Sequence, residues 1–215
     1  MEATFCFVDL AGFTALTEAH GDQTAAELLV RFTELVESSR TAEDRLVKTI
    51  GDAALLTSPT PTMAVQLLAR LWSVLARERD FPEVRAGLHH GTAVEQRNDF
   101  VGATVNLAAR LASHAGGGEI HATSTVAEAA EALGFTVASL GSVRMRNIRD
   151  PVELYALDLG ATTAADLLDP VCRMRVQPLS AAGRLNFAGT TYWFCSLRCS
   201  SLFASSPEAY VRDSK

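Results

Sequence analysis

The sequence predicts an α+β domain built on an antiparallel-rich sheet with flanking helices, followed by a small cysteine-bearing unit. Three observations carry the prediction. Short apolar, β-branched runs come in hairpin pairs, stretches of helical period are interspersed between them, and three of the four cysteines fall in the last 44 of 215 residues.

Residues 4–10 (TFCFVDL) read as a buried strand, and Gly12 breaks the pattern into a glycine-containing loop. A helix is predicted from Asp22, its N-cap, with Leu28, Phe32, Leu35 and Val36 on one face. Residues 45–58 (RLVKTIGDAALLTS) read as a hairpin turning at Gly51 and Asp52, closed by Pro59 and Pro61. A helix over 63–77 presents Val65, Leu68, Trp72 and Leu75, and a strand at 84–90 (VRAGLHH) leads into a polar, hairpin-like segment through Gln96. The helix predicted over 102–115 is stopped by the glycines at 116, 117 and 118. EIHAT, a short Ala/Glu helix, FTVASL and VELYAL complete the main unit. The predicted organisation is a main domain over 1–160, a linker over 161–168 and a second unit over 169–215. That last unit is too short to hold much core of its own, and leans on a metal or on the main domain.

Composition narrows the partners. A net charge of -6 with no Lys/Arg cluster argues against a nucleic-acid surface. No run of about 18 apolar residues occurs, so no membrane span is expected. Met1 leads into the first strand without a basic region, so a cytoplasmic protein is expected. Small molecules, metal ions and protein are what remain.

Asp9 ends the first strand just before the loop of Gly12, Phe13 and Thr14, whose backbone N–H groups suit phosphate. Alone, Asp9 reads as a cap or turn residue, and Asp52 as ordinary Gly-Asp turn chemistry. Together, two carboxylates at neighbouring strand ends suit hard divalent cations. Strand alternation places Lys48 with Leu46 and Ile50, so its ammonium either reaches solvent or meets an acceptor. Asn106 and Arg110, four apart on a predicted helix, share one face, as a polar stripe or as a pair of ligands. His89 and His90 lack neighbours at ligand spacing, and Cys6, in a core strand, reads as packing.

FVDLAGFT, VKTIGDA and DFVGATVNLAAR, in this order and spacing, resemble the class III adenylyl and guanylyl cyclase catalytic domain over roughly residues 1–158. The resemblance implies a ferredoxin-like sheet and a homodimer with active sites between protomers. Asp9 and Asp52 would bind two Mg2+ or Mn2+ ions with the Leu10 carbonyl assisting. Gly12, Phe13 and Thr14 would face the triphosphate, Lys48 and Asp99 would read the base, and Asn106 and Arg110 would stabilise the transition state. Lysine as donor and aspartate as acceptor match adenine's ring nitrogen and exocyclic amine, whereas guanine presents the opposite polarity. The implied reaction is ATP to cyclic AMP and pyrophosphate. A nucleotide-binding sensor or scaffold dimer and a guanylate cyclase are the alternatives. Where relatives carry Leu-Lys-Gly before the last strand, this chain has Met145, Arg146 and Asn147, and Arg146 would take the phosphate role with a fork instead of a point charge.

DPVCRMRV, GTTYWFCSLRC and SSPEAY resemble the YHS domain, related to TRASH-type cysteine domains, over about residues 169–211. Arg173 stands where that family usually has glycine. Cys172, Cys195 and Cys199, spaced C-x22-C-x3-C, are either three ligands for Zn2+ or Cu+ or three small apolar residues packed beside Tyr192, Trp193 and Phe194. No histidine follows His121, so the expectation is that a fourth ligand is missing.

Overall fold

The computed structural model describes residues 1–160 and 167–211. Strand β1 (Glu2–Leu10) runs into helix α1 (Phe13–His20), then α2 (Asp22–Ser39). The hairpin β2 (Arg45–Ile50) and β3 (Ala53–Ser58) precedes α3 (Pro61–Leu75) and β4 (Val84–Thr92). A short hairpin, β5 (Val94–Gln96) and β6 (Asp99–Val101), leads to α4 (Ala103–His114). Then come β7 (Ile120–Ala122), α5 (Ser124–Ala132), β8 (Thr136–Val143) and β9 (Val152–Asp158). The C-terminal unit holds β10 (Leu167–Leu168), β11 (Arg175–Val176), the hairpin β12 (Gly183–Phe187) and β13 (Thr190–Phe194), and α6 (Leu197–Ser205).

Seven strands form one sheet in the order β2-β3-β1-β4-β7-β9-β8, antiparallel at every joint except β4 with β7. The expected antiparallel-rich α+β architecture is present. Strand alternation divides β1 between two layers. Cys6, Val8 and Leu10 join α2, α3 and α5 in the larger core, while Ala3 and Phe5 pack with Val105 and Ala108 of α4 on the other face. Cys6 is wholly buried there, and burial pushes its thiol up, as a packing residue requires. No helix among the described residues is long and apolar enough to cross a membrane.

Several elements differ from the sequence reading. The loop after Gly12 is helix α1: Gly12 takes φ 76°, and Leu16 N–H donates to its carbonyl at 3.0 Å. Gly21, not Asp22, precedes α2, and Asp22 is its first helical residue. Helix α3 starts at Pro61 because Thr60 caps it, its hydroxyl accepting from Met63 N–H at 3.3 Å, and proline suits a first turn that has no use for its missing donor. Of the proposed linker, residues 161–166 lie outside the described residues, and Leu167 and Leu168 pair with Val176 and Arg175.

Strand β2 carries a bulge at Val47 that leaves Lys48 on the expected face with Ile50 but separates it from Leu46. Leu46 lies opposite Leu56 while Lys48 lies opposite Leu55, consecutive residues of β3 that point to opposite faces. Lys48 therefore leaves the face of Leu46 and joins that of Leu55, Phe7 and Asp9.

Helix α4 lies against β4 at Gly87. A Cβ there would sit 2.1 Å from the Ala112 nitrogen and 2.4 Å from the Ala108 carbonyl oxygen, both backbone atoms unable to yield. Gly87→Ala is expected to cost about 3 kcal/mol and to lower Tm by roughly 6–12 °C, read by calorimetry. An unchanged Tm would show that α4 can retreat.

Candidate active site

The ends of β1 and of the β2–β3 hairpin meet. Asp9 lies opposite Ala53, and Leu10 N–H donates to the Asp52 carbonyl at 3.2 Å, which fixes Asp52 beside Asp9. On the other side Arg85 of β4 is the direct cross-strand partner of Asp9, and its Nε and Nη2 both bond Asp9 Oδ2, at 2.7 and 2.6 Å. Burial raises the Asp9 carboxyl above its ordinary value, Arg85 opposes that shift, and the nearby Asp52 charge reinforces it. Two half-buried carboxylates at adjoining strand ends, with no lysine or arginine of the described residues between them, are a donor set that fits a hard divalent cation.

Lys48 and Asp99 meet. The ammonium lies 2.5 Å from Asp99 Oδ2, and Phe100 N–H bonds Oδ1 at 2.8 Å. Lys48's hydrogen bond, then that of Phe100, holds the Asp99 carboxyl below its usual range. The two-residue turn of β5–β6 puts Asp99 in place, with Arg97 and Asn98 at φ 51° and 64°. Arg45 ties that hairpin to β2: Nη1 bonds Glu95 at 2.7 Å, Nη2 bonds the Asn98 carbonyl at 3.1 Å, and the guanidinium lies 5.4 Å from the Phe100 ring centre.

Asn106 and Arg110 are exposed on α4, while Val105, Ala108 and Leu111 face inward. Among the described residues Arg110 forms no ion pair. Gly12, Phe13 and Thr14 open α1, where the first N–H groups have no intrahelical acceptor. Arg146 is exposed in the turn between β8 and β9, whose left-handed position is filled by Asn147 at φ 62°. Asparagine tolerates that conformation better than most residues, so the turn survives without glycine. His89 and His90 are satisfied locally, by Thr123 at 2.8 Å and Thr4 at 3.0 Å.

The three tail cysteines converge, and they are not alone. His20, at the C-terminal end of α1, points Nε2 at all three sulfurs: 3.5 Å from Cys172, 3.4 Å from Cys195 and 3.7 Å from Cys199. The expectation that a fourth ligand is missing is overturned, because the fold brings one from the other end of the chain. Cys172 and Cys199 are buried, and all three thiols are free. Cys195 sits between the other two, its Sγ 3.4 Å from that of Cys172 and 3.8 Å from that of Cys199.

Sequence reasoning missed His20, Arg85 and Arg45. Arg85 and Arg45 become visible only once strand pairing is known. His20 is one of only five histidines and sits where an amphipathic octet ends, but nothing local ties it to cysteines more than 150 residues away.

Residues 1–159 match the family described as the adenylate and guanylate cyclase catalytic domain, and residues 167–213 match the YHS domain. The chain is 34% identical over 165 residues to a pH-sensitive adenylate cyclase of Mycobacterium tuberculosis, an overlap of 75% of this chain and 42% of that one. It is 36% identical over 115 residues to an adenylate cyclase of Glutamicibacter nicotianae, covering 53% of this chain and 28% of that one. The chain thus spans less than half the length of these curated relatives. A solved adenylate cyclase of Trypanosoma brucei, in its monomeric state, superposes with a TM-score of 0.66 at 25% identity, covering 76% of this chain and 91% of that one.

Proposed function

The chain belongs to the adenylate and guanylate cyclase catalytic domain family, and from that premise we propose that it converts ATP to 3′,5′-cyclic AMP and pyrophosphate at sites shared between two copies of itself. The observation that carries the choice of ATP is the preformed Lys48–Asp99 pair, on the sheet face that also holds Asp9.

Asp99, held ionised by Lys48, accepts from the adenine amine, and the Lys48 ammonium donates to the ring nitrogen beside it. Asp9, Asp52 and the Leu10 carbonyl would hold two magnesium or manganese ions, whose chemistry when bound is to acidify the ribose 3′-hydroxyl and neutralise triphosphate charge. The N–H groups of Phe13 and Thr14, presented by the left-handed Gly12, point toward phosphate oxygens, and Arg146 meets the leaving pyrophosphate. The 3′-oxygen bonds to the α-phosphorus as the bond to the bridging oxygen breaks, and the hydroxyl proton passes to solvent. Arg110 donates to the charge that builds on the phosphoryl oxygens, and Asn106 orients the ribose.

A shared site is supported by the exposed, unpaired side of α4. Arg110 stands there without a counter-charge among the described residues, and Ile50, 49% exposed, lies on the same sheet face as Asp9. In this reading Asp9 and Asp52 of one protomer face Lys48, Asp99, Asn106 and Arg110 of its partner.

The test is product formation by the purified full chain with manganese-ATP beside manganese-GTP. Cyclic AMP is expected in excess over cyclic GMP, with none after chelation. A folded dimer that binds ATP and releases no cyclic nucleotide would leave a nucleotide sensor in place of an enzyme.

A further inference from the structure

The geometry points to a single zinc site shared between the two family units, made by His20 of the catalytic unit with Cys172, Cys195 and Cys199 of the tail, whose occupation fixes helix α1 beside the Asp9 site. The regulatory half of this inference rests on the cyclase reading; the metal half does not.

Tetrahedral zinc, with bonds of about 2.3 Å to sulfur and 2.0–2.1 Å to nitrogen, sets S···S edges of about 3.8 Å and S···N edges of about 3.5 Å. The chain places sulfurs 3.4 Å (Cys172 to Cys195) and 3.8 Å (Cys195 to Cys199) apart, with His20 Nε2 3.4–3.7 Å from all three. Three thiols packed only as apolar groups have no need of a ring nitrogen aimed at each of them. The surrounding shell is also built: buried Asp169 accepts from Val171 N–H and Cys195 N–H, both at 2.9 Å, and so holds the two ligand-bearing loops together. Ser196 caps α6 by accepting from Cys199 N–H at 3.1 Å, which fixes the third.

The same tail segment grips the opposite end of α1. Arg173, next to Cys172, takes φ 61°, the left-handed conformation of the glycine it replaces. Its guanidinium bonds Glu83 Oε2 at 2.5 Å, its carbonyl accepts from Glu83 N–H at 3.3 Å, and its Cγ would lie 2.9 Å from a Cβ on Gly12. Glu83 in turn accepts from Ala11 N–H at 2.8 Å through its carbonyl. Helix α1 is therefore held at His20 by the ligand cluster and at Gly12 by Arg173, while Leu16 and Ala19 are buried between them. Filling the cluster joins the first hold to the second through Cys172 and Arg173, and the second, at Gly12, lies two residues beyond Leu10, the last residue of the strand that carries Asp9.

The experiment uses the full chain loaded with cobalt(II), then zinc. Cobalt should give sulfur-to-metal charge-transfer bands and the intense visible bands of a tetrahedral ion, at one ion per chain. His20→Ala should alter those bands and weaken zinc binding at least about tenfold, and His20→Cys should restore four-ligand binding with a shifted spectrum. Hydrogen exchange across residues 11–20 should slow on adding zinc to the parent chain and not to His20→Ala. Spectra indifferent to His20→Ala would overturn the shared site, as would an oxidised Cys172–Cys195 pair that takes up no metal. Zinc binding without slower exchange would overturn the coupling. Both readouts are independent of turnover, so a chain that binds zinc this way but makes no cyclic nucleotide would sink the cyclase reading and leave the metal site standing.

Discussion

Two variants that are each inactive should make cyclic AMP when mixed. Asp52→Ala removes a carboxylate from one wall of the proposed site, and Arg110→Ala removes the guanidinium from the other. Each alone is expected to lower the rate on the order of 10²–10³-fold. Arg110 is exposed on α4, so its loss leaves the core untouched. After the two chains exchange subunits, half of the dimers are mixed. In each mixed dimer both defects fall in one site and the other is intact, so activity should return to about a quarter of the parent rate. The measurement is cyclic AMP formation across a titration of one variant into the other. A mixture that never exceeds the sum of its parts would mean that Asp52 and Arg110 do not come from different protomers, and would overturn the shared site.

Exchanging the base-reading pair should reverse nucleotide preference. In Lys48→Glu with Asp99→Cys, the carboxylate faces guanine's ring N–H and the thiol donates weakly to its carbonyl. The ratio of kcat/KM for GTP over ATP is expected to rise on the order of 10²-fold. Lys48→Glu alone should handle both nucleotides poorly, since it sets a second carboxylate beside Asp99, which now has its donor 2.5 Å away. A ratio that does not move in the double variant would remove these residues from base recognition, while leaving the metal-side residues to be judged separately.

The strands and longer helices were legible because burial on one face leaves a period of two or of 3.6 in the sequence. Asp9 and Asp52 at adjoining strand ends follow from that pattern once β1 and the hairpin are seen to be neighbours. Helix α1 escaped because its apolar positions, Phe13, Leu16 and Ala19, span barely two turns and are preceded by a glycine that reads as a loop. Lys48 keeps the expected company of Ile50 but not that of Leu46, for a definite reason. Alternation holds only along an unbroken ladder, and the bulge at Val47 has no glycine to announce it. A lysine among apolar neighbours either reaches solvent or meets an acceptor, and that Asp99 stands beside it is what only the family resemblance implies. His20 and Arg85 lay beyond reach, since what makes each matter is a neighbour supplied by tertiary structure.

The apolar cluster beneath the tail also bears on where one unit of the chain ends and the next begins. Leu16, Ala19 and Ala25, from the catalytic unit, share one interior with Val171, Phe194 and Phe203, from the tail. Without the tail, Leu16, Ala19 and Ala25 would lose the apolar side chains that cover them. The unit of packing is therefore not the tail alone. The boundary that the two families mark near residue 160 therefore does not coincide with a boundary of packing, which runs instead along helix α1 and takes His20 to the tail's side.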